Sequence, residues 1–241
     1  MEETLSIKFI GTGGAFDTAY GNSAATVTLK GMLLLIDCGH TVFPRLIQLG
    51  LADKVDGMLI THLHDDHVGS LSTYILYHDL VLHKGRLKLY VPNEQLQALL
   101  TGMLSYSLGK VEARVDFRPI TELAGVGYID TYGRHVPGMQ TFAYYFTDGD
   151  RSIVYSGDNG DADFLYSQLA ALDLPGVTVY HEVFFHFRMS AHAYYLDLMR
   201  LAAQVETYGY HCDPTVAPAD NTLPLVVEHA LRPLFAFFGA A

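Results

Sequence analysis

Short apolar runs and longer amphipathic stretches succeed one another along the chain, and their order predicts its elements. Residues 5–10, 25–29 and 32–36 are apolar or β-branched runs separated by glycine-bearing turns, which predicts three strands. The pattern over 41–49 predicts a helix, with Pro44 in the first turn, where its missing N–H removes no helical bond. A strand is expected over 55–60, a helix from Asp66 to about Leu80, and a strand over 87–91, after which Pro92 should open a helix reaching about Leu108. The stretch 111–153 reads as strand-rich, with 147–150 as a hairpin turn between strands 142–146 and 152–155. A helix over 162–171, a strand over 177–180, a helix over 192–206, a strand over 208–210 and a closing helix after Pro224 complete the pattern. Strands that come first as hairpins and then interleave with helices predict an α+β architecture: two packed mixed sheets with helices on the outside. No linker or repeat interrupts residues 1–241, so a single domain is expected.

The run Thr61-His62-Leu63-His64-Asp65-Asp66-His67 follows the strand predicted at 55–60. His62 and His64, two apart on extended backbone, project to one side and can grip one ion. Asp66 and His67 turn away with the new helix and can reach a second ion beside the first. Imidazole with carboxylate suits Zn2+, with Mn2+ or Fe2+ as alternatives. A site for two ions needs about seven donors, so three more should come from later strand ends. His135 follows a strand over 127–132 and can complete the first set. Asp158, in Ser156-Gly157-Asp158-Asn159, can bridge both ions, and His211 can supply the last imidazole of the second.

Composition narrows the partners. The formal charge is −11, from 15 basic and 26 acidic residues, and no Lys/Arg cluster is present, so long nucleic acids are disfavoured. Two cysteines argue against a disulfide scaffold and fit a reducing compartment. No apolar run approaches the roughly 20 residues of a membrane span and the N-terminus lacks a signal pattern, so a cytoplasmic protein without membrane attachment is expected.

Taken together, His62, His64, Asp66, His67, His135, Asp158 and His211 match the His-any-His-any-Asp-His motif and the later single positions of the metallo-β-lactamase fold family, which the chain resembles. Gly11-Thr12-Gly13-Gly14 and Leu35-Ile36-Asp37-Cys38-Gly39 extend the resemblance over nearly the whole chain. It implies an αβ/βα sandwich with a di-zinc site at one edge and Asp37 orienting the ligands. Val179-Tyr180-His181-Glu182 and Ser190-Ala191-His192 are similar to segments of the ribonuclease Z-like branch. That resemblance implies that Glu182 orients His192 and that His192 protonates the leaving oxygen of a phosphodiester. Asp66, His192 and Glu182 are thus the candidate catalytic residues. The match departs at Ala193 and Asp213, where that branch usually has a hydroxyl residue and a serine. His181, His186 and His229 read as structural or surface residues, with His186 the foremost candidate for another role.

The same branch implies substrate classes. Residues 110–135 read as short strands, without the glycine- and proline-bearing basic arm by which ribonuclease Z holds tRNA. The chain is closer to armless cyclic-nucleotide phosphodiesterases such as the anti-Pycsar nucleases, which implies a di-zinc phosphodiesterase acting on small cyclic nucleotides in immune evasion. A tRNA 3′ endonuclease and a non-catalytic binding protein on the same fold are the alternatives, and lactonase or thioesterase chemistry uses the same donors. Sixteen Tyr and thirteen Phe could furnish a base-stacking wall, for which Tyr106 and Tyr194 are candidates. Homodimers are common in this branch, and the apolar tail 234–238 would need cover if exposed, so a homodimer is expected.

Overall fold

Each of two sheets begins with hairpin-linked strands and continues with parallel strands reached through helices. The computed structural model describes residues 4–17 and 19–226. In the first sheet β1 (Ser6–Gly11), β2 (Ala24–Leu29) and β3 (Met32–Ile36) run antiparallel. Helix α1 (Val42–Gln48) leads to β4 (Gly57–Leu59), parallel to β3. The short helices α2 (Asp65–Val68) and α3 (Leu71–Leu76) then lead to β5 (Leu87–Val91), and α4 (Glu94–Leu108) to β6 (Val115–Pro119), both parallel additions. The second sheet takes β7 (Val126–Asp130), β8 (Phe142–Thr147) and β9 (Ser152–Tyr155) antiparallel. Through α5 (Ala162–Leu172) and α6 (Tyr195–Ala202) it gains the parallel strands β10 (Val177–Glu182) and β11 (Glu206–Tyr210).

The apolar faces of the two sheets meet in one core. Leu35 and Ile36 from the first sheet share it with Phe142, Tyr144, Phe146 and Tyr155 from the second, all essentially inaccessible. Tyr144 carries its polar end across the layer and donates to the Ile60 carbonyl at 2.7 Å, so the ring buries without an orphaned hydroxyl. Leu165 and Leu169 of α5 and Leu198 and Leu201 of α6 cover the outer face of the second sheet. The two packed mixed sheets with helices outside are the expected α+β sandwich.

Three local expectations are corrected. The helix expected from Asp66 to about Leu80 is two helices and a wide π turn, Tyr77–Val81. The break has a distant cause: Ser70 gives its backbone N–H to the Cys38 carbonyl at 2.9 Å, and Cys38 takes the His67 carbonyl at 2.7 Å, so helical bonding stops at Gly69. Helix α4 starts after Asn93, whose side chain accepts from Leu96 N–H at 2.9 Å, and not at Pro92, because a side-chain cap satisfies an otherwise orphaned donor. The helix expected over 192–206 begins only at Tyr195. Phe184 N–H binds the Ala193 carbonyl and Tyr195 N–H binds the Phe184 carbonyl, which holds the chain extended before it. The closing helix expected after Pro224, His229 and the tail 234–238 lie outside the described residues; of that stretch, Leu225 forms an isolated bridge with Gly209 beside β11. Among the described residues, no helix is long and apolar enough to cross a membrane.

Candidate metal centre

Strand ends deliver the donors. His62 and His64 leave β4, Asp158 leaves β9, and His211 leaves β11, all at the carboxyl edges of parallel strands. Two turns there are made by non-glycine residues in the left-handed region, Asp37 with φ 62° and His211 with φ 63°. Such backbone costs about 1–3 kcal/mol and persists only where the surroundings hold it. Gly157, φ 59°, makes the turn before Asp158; a Cβ there would lie 2.7 Å from the Phe142 carbonyl oxygen.

The seven candidate ligands converge in two groups. His62 Nε2 and His135 Nε2 each lie 3.0 Å from His64 Nδ1. In the second group, His67 Nε2 is 3.3 Å from Asp66 Oδ2 and 3.4 Å from Asp158 Oδ1, and His211 Nε2 is 3.2 Å from Asp66 Oδ2. Asp158 lies between the groups, with Oδ2 3.8 Å from His135 Nε2 and 3.7 Å from His211 Nε2.

Hydrogen bonds behind the imidazoles fix which nitrogens are bare. His135 Nδ1–H donates to the Ala191 carbonyl at 2.7 Å, and His67 Nδ1–H to Asp37 Oδ2 at 2.8 Å. Thr61 donates its hydroxyl to Asp37 at 2.8 Å, so its oxygen accepts from His62 Nδ1 at 3.1 Å. With Nδ1–H of each ring engaged behind it, Nε2 of His62 and Nε2 of His135 both face His64 Nδ1, which has at most one proton to give. The pairwise spacing is close to the ~3.3 Å between nitrogens of a tetrahedral zinc site. In the second group, His67 Nε2 and Asp158 Oδ1 are buried without any hydrogen-bond partner. A buried carboxylate oxygen facing a buried imidazole nitrogen favours positive charge between them, which a shared cation would supply, and the donor set fits zinc.

The electrostatics differ between the groups. Burial and the neighbouring imidazole of His67 hold His62 well below its ordinary pKa, so it stays a neutral donor. Burial also opposes charge on His67, but Asp158 and Asp37 drive its pKa well above normal. Burial would raise Asp66 and Asp158; instead the facing imidazoles, His211 and His67, hold both carboxylates ionised. The second group thus draws positive charge into itself.

Beside the donors, Glu182 is fully buried and fixed on both oxygens. Oε1 accepts from Ala193 N–H at 2.8 Å and Asn159 N–H at 3.3 Å, and Oε2 accepts from His192 Nδ1–H at 3.2 Å. Burial disfavours the imidazolium, yet Glu182 lifts the His192 pKa to about 9. His192 Nε2 is left free beside a cavity of about 770 Å3 that His64, Asp66, His135, Asp158 and His211 also line.

The rest of that cavity was not anticipated. Phe16, Phe184, Phe187, Met189, His40 and Val216 line it, and His186, foremost among the histidines set aside, is there as well. Tyr106 and Tyr194 are not. Tyr106 stands 95% exposed on α4, and Tyr194 lies under the Arg188 guanidinium at 5.0 Å, beside a separate hollow. The apolar run 183–187 resembles a buried strand in sequence, which concealed the wall; the signal was its position between Glu182 and His192. α2 is a single turn of four residues, too short for an appreciable helix dipole at Asp66 and His67.

Known proteins share the fold and parts of the sequence. The metallo-β-lactamase fold protein YhfI from Bacillus subtilis superimposes with a TM-score of 0.67 at 21% identity, over 87% of each chain. An Anti-Pycsar protein Apyc1 from Bacillus phage 010DV004 is 34% identical over 180 residues, which is 66% of this chain and 70% of that one. Another, from Paenibacillus harenae, is 29% identical over 226 residues, covering 88% and 91%. The family described as Anti-Pycsar protein Apyc1 matches residues 5–224. The chain belongs to that family, on a metallo-β-lactamase fold.

Proposed function

We propose that the chain is a di-zinc phosphodiesterase that opens the ring phosphodiester of small cyclic nucleotides. The observation that carries this reading is Asp158 spanning two convergent donor groups with a carboxylate-held imidazolium, His192, on the same cavity. His62, His64 and His135 would hold one ion, Asp66, His67 and His211 the other, and Asp158 both. Bound there, zinc supplies Lewis acidity at the phosphoryl oxygens and lowers the pKa of water, giving a nucleophile near neutral pH. Asp37 keeps His67 in the tautomer that presents Nε2, through the 2.8 Å bond behind the ring. Glu182 orients His192 and keeps it protonated, so Nε2–H can donate to the departing ribose oxygen. The anti-Pycsar name of the relatives supports the substrate class.

Charge argues against the tRNA alternative. Among the described residues, no Lys or Arg lines the cavity, while Asp17, Asp65 and Asp213 do. Residues 110–135 form β6, β7 and two 3-10 turns, with no projecting arm. A monoanionic diester suits such a cleft better than a polyanion does. The test is turnover by the zinc-loaded protein against cyclic mononucleotides, a linear bis-phosphodiester, pre-tRNA and a lactone. We expect the cyclic mononucleotides to be cleaved fastest; preference for pre-tRNA or lactone, or no turnover of any, contradicts the proposal.

A further inference from the structure

The cavity has one apolar wall for which the metal donors give no reason. Phe187 is 60% exposed and Met189 37% exposed, both in the loop between β10 and α6, and Phe16 is 98% exposed in the turn after β1. Open apolar surface is unfavourable in water, and three such side chains gathered around one cavity mark it as a place where an apolar group docks. The loop is not slack. The paired backbone bonds of Phe184 to Ala193 and Tyr195 clamp its two ends, and Phe185 packs into the core against Tyr195 with ring centres 5.9 Å apart. Within it the Phe184 ring lies nearly parallel to His192, at 28° and 6.0 Å, and meets Phe187 edge to face at 5.3 Å. A continuous aromatic surface therefore runs from the imidazole beside the metal donors outward to the solvent edge.

What seats there must be flat, apolar on its faces, and joined to an anion. Two cations held by the donor groups would draw an anion inward, and among the described residues no Lys or Arg lines the cavity to hold it elsewhere. The cavity volume, about 770 Å3, lies within the range of small-molecule sites. Resting on the phosphodiesterase reading above, we propose that Phe187, backed by Phe184 and joined by Phe16 at the mouth, is the stacking platform for the nucleobase of the substrate. Its affinity then comes from π-stacking and apolar burial.

The test compares a 3′,5′-cyclic nucleotide with the corresponding cyclic ribose phosphate that lacks a base, both followed by phosphorus NMR on the zinc-loaded protein. Phe187→Ala and Phe16→Ala should lower the preference in kcat/KM for the nucleotide at least about fivefold, since stacking of one base is worth that much or more. Tyr106→Ala, far out on α4, should leave it unchanged. A second readout needs no turnover. The chain contains no Trp, so Phe187→Trp installs its one indole, which can be excited selectively at the red edge where the sixteen tyrosines do not absorb, and a nucleoside 5′-monophosphate should quench it where ribose 5-phosphate does not. An unchanged preference with no base-dependent quenching overturns the platform. So does a Phe187→Ala protein whose mass in light scattering differs from the parent, which would make the patch a contact between copies. If neither cyclic phosphate is turned over by the parent protein, the phosphodiesterase reading fails, and the quenching comparison alone then decides whether a base binds.

Discussion

His192 bears the most specific chemical expectation. If its Nε2–H protonates the departing oxygen, His192→Ala loses roughly 100- to 10,000-fold in turnover of a cyclic nucleotide while retaining its metals. The deficit should shrink on a nitrophenyl phosphodiester, whose leaving group needs little protonation; equal losses on both, or zinc lost from the variant, would show a structural or ligating role. The acid works only when protonated, so activity falls as pH rises through its pKa. Glu182 raises that pKa, and Glu182→Gln should move the alkaline limb of the kcat profile to lower pH with a smaller loss at its maximum. An unmoved limb contradicts the assignment. The candidate donors were legible at this scale because histidine and aspartate right after strands leave few other readings. The cavity lining was not, since Phe184 and Phe187 have the composition of a core strand and only the clamp at Ala193 and Tyr195 turns them outward.

Elements set the distances between those residues, and one contact is tight enough to probe. A Cβ on Gly39, just past β3, would lie 1.8 Å from the Asp66 carbonyl oxygen, with Asn22 Cβ at 2.8 Å on the other side. Gly39→Ala must push α2 away from β3, and overpacking of this kind costs typically 1–3 kcal/mol or more. We expect a lower unfolding temperature by several degrees, and weaker zinc binding because Asp66 and His67 ride on α2. Wild-type zinc affinity in this variant would show that α2 is not coupled to the site. The strands were readable to within a residue or two because apolar runs mark them. The break at Gly69–Ser70 was not, because its cause is a carbonyl thirty-two residues earlier, which no local window contains.

Across the whole molecule, the core drawing on both sheets supports a single domain over 1–241, as we propose. The homodimer is also a proposal: Leu80 and Val81 on the π turn are over half exposed, an apolar surface suited to a second copy. Light scattering across micromolar concentrations should return twice the chain mass; the monomer mass throughout contradicts it. We propose that the net charge of −11 and the acidic cavity rim disfavour long nucleic acids, whereas two cations held by the donor groups would concentrate attraction for a small anion at one edge of the sandwich. We propose that seven residues mount two ions that act together on a phosphodiester. Zinc titrated into metal-stripped protein while hydrolysis of a cyclic mononucleotide is followed tests this most directly. Activity should rise to a plateau at about two zinc ions per chain, since the convergent donors are too many for one tetrahedral ion. A plateau at one ion, or no hydrolysis at any loading, would contradict the account.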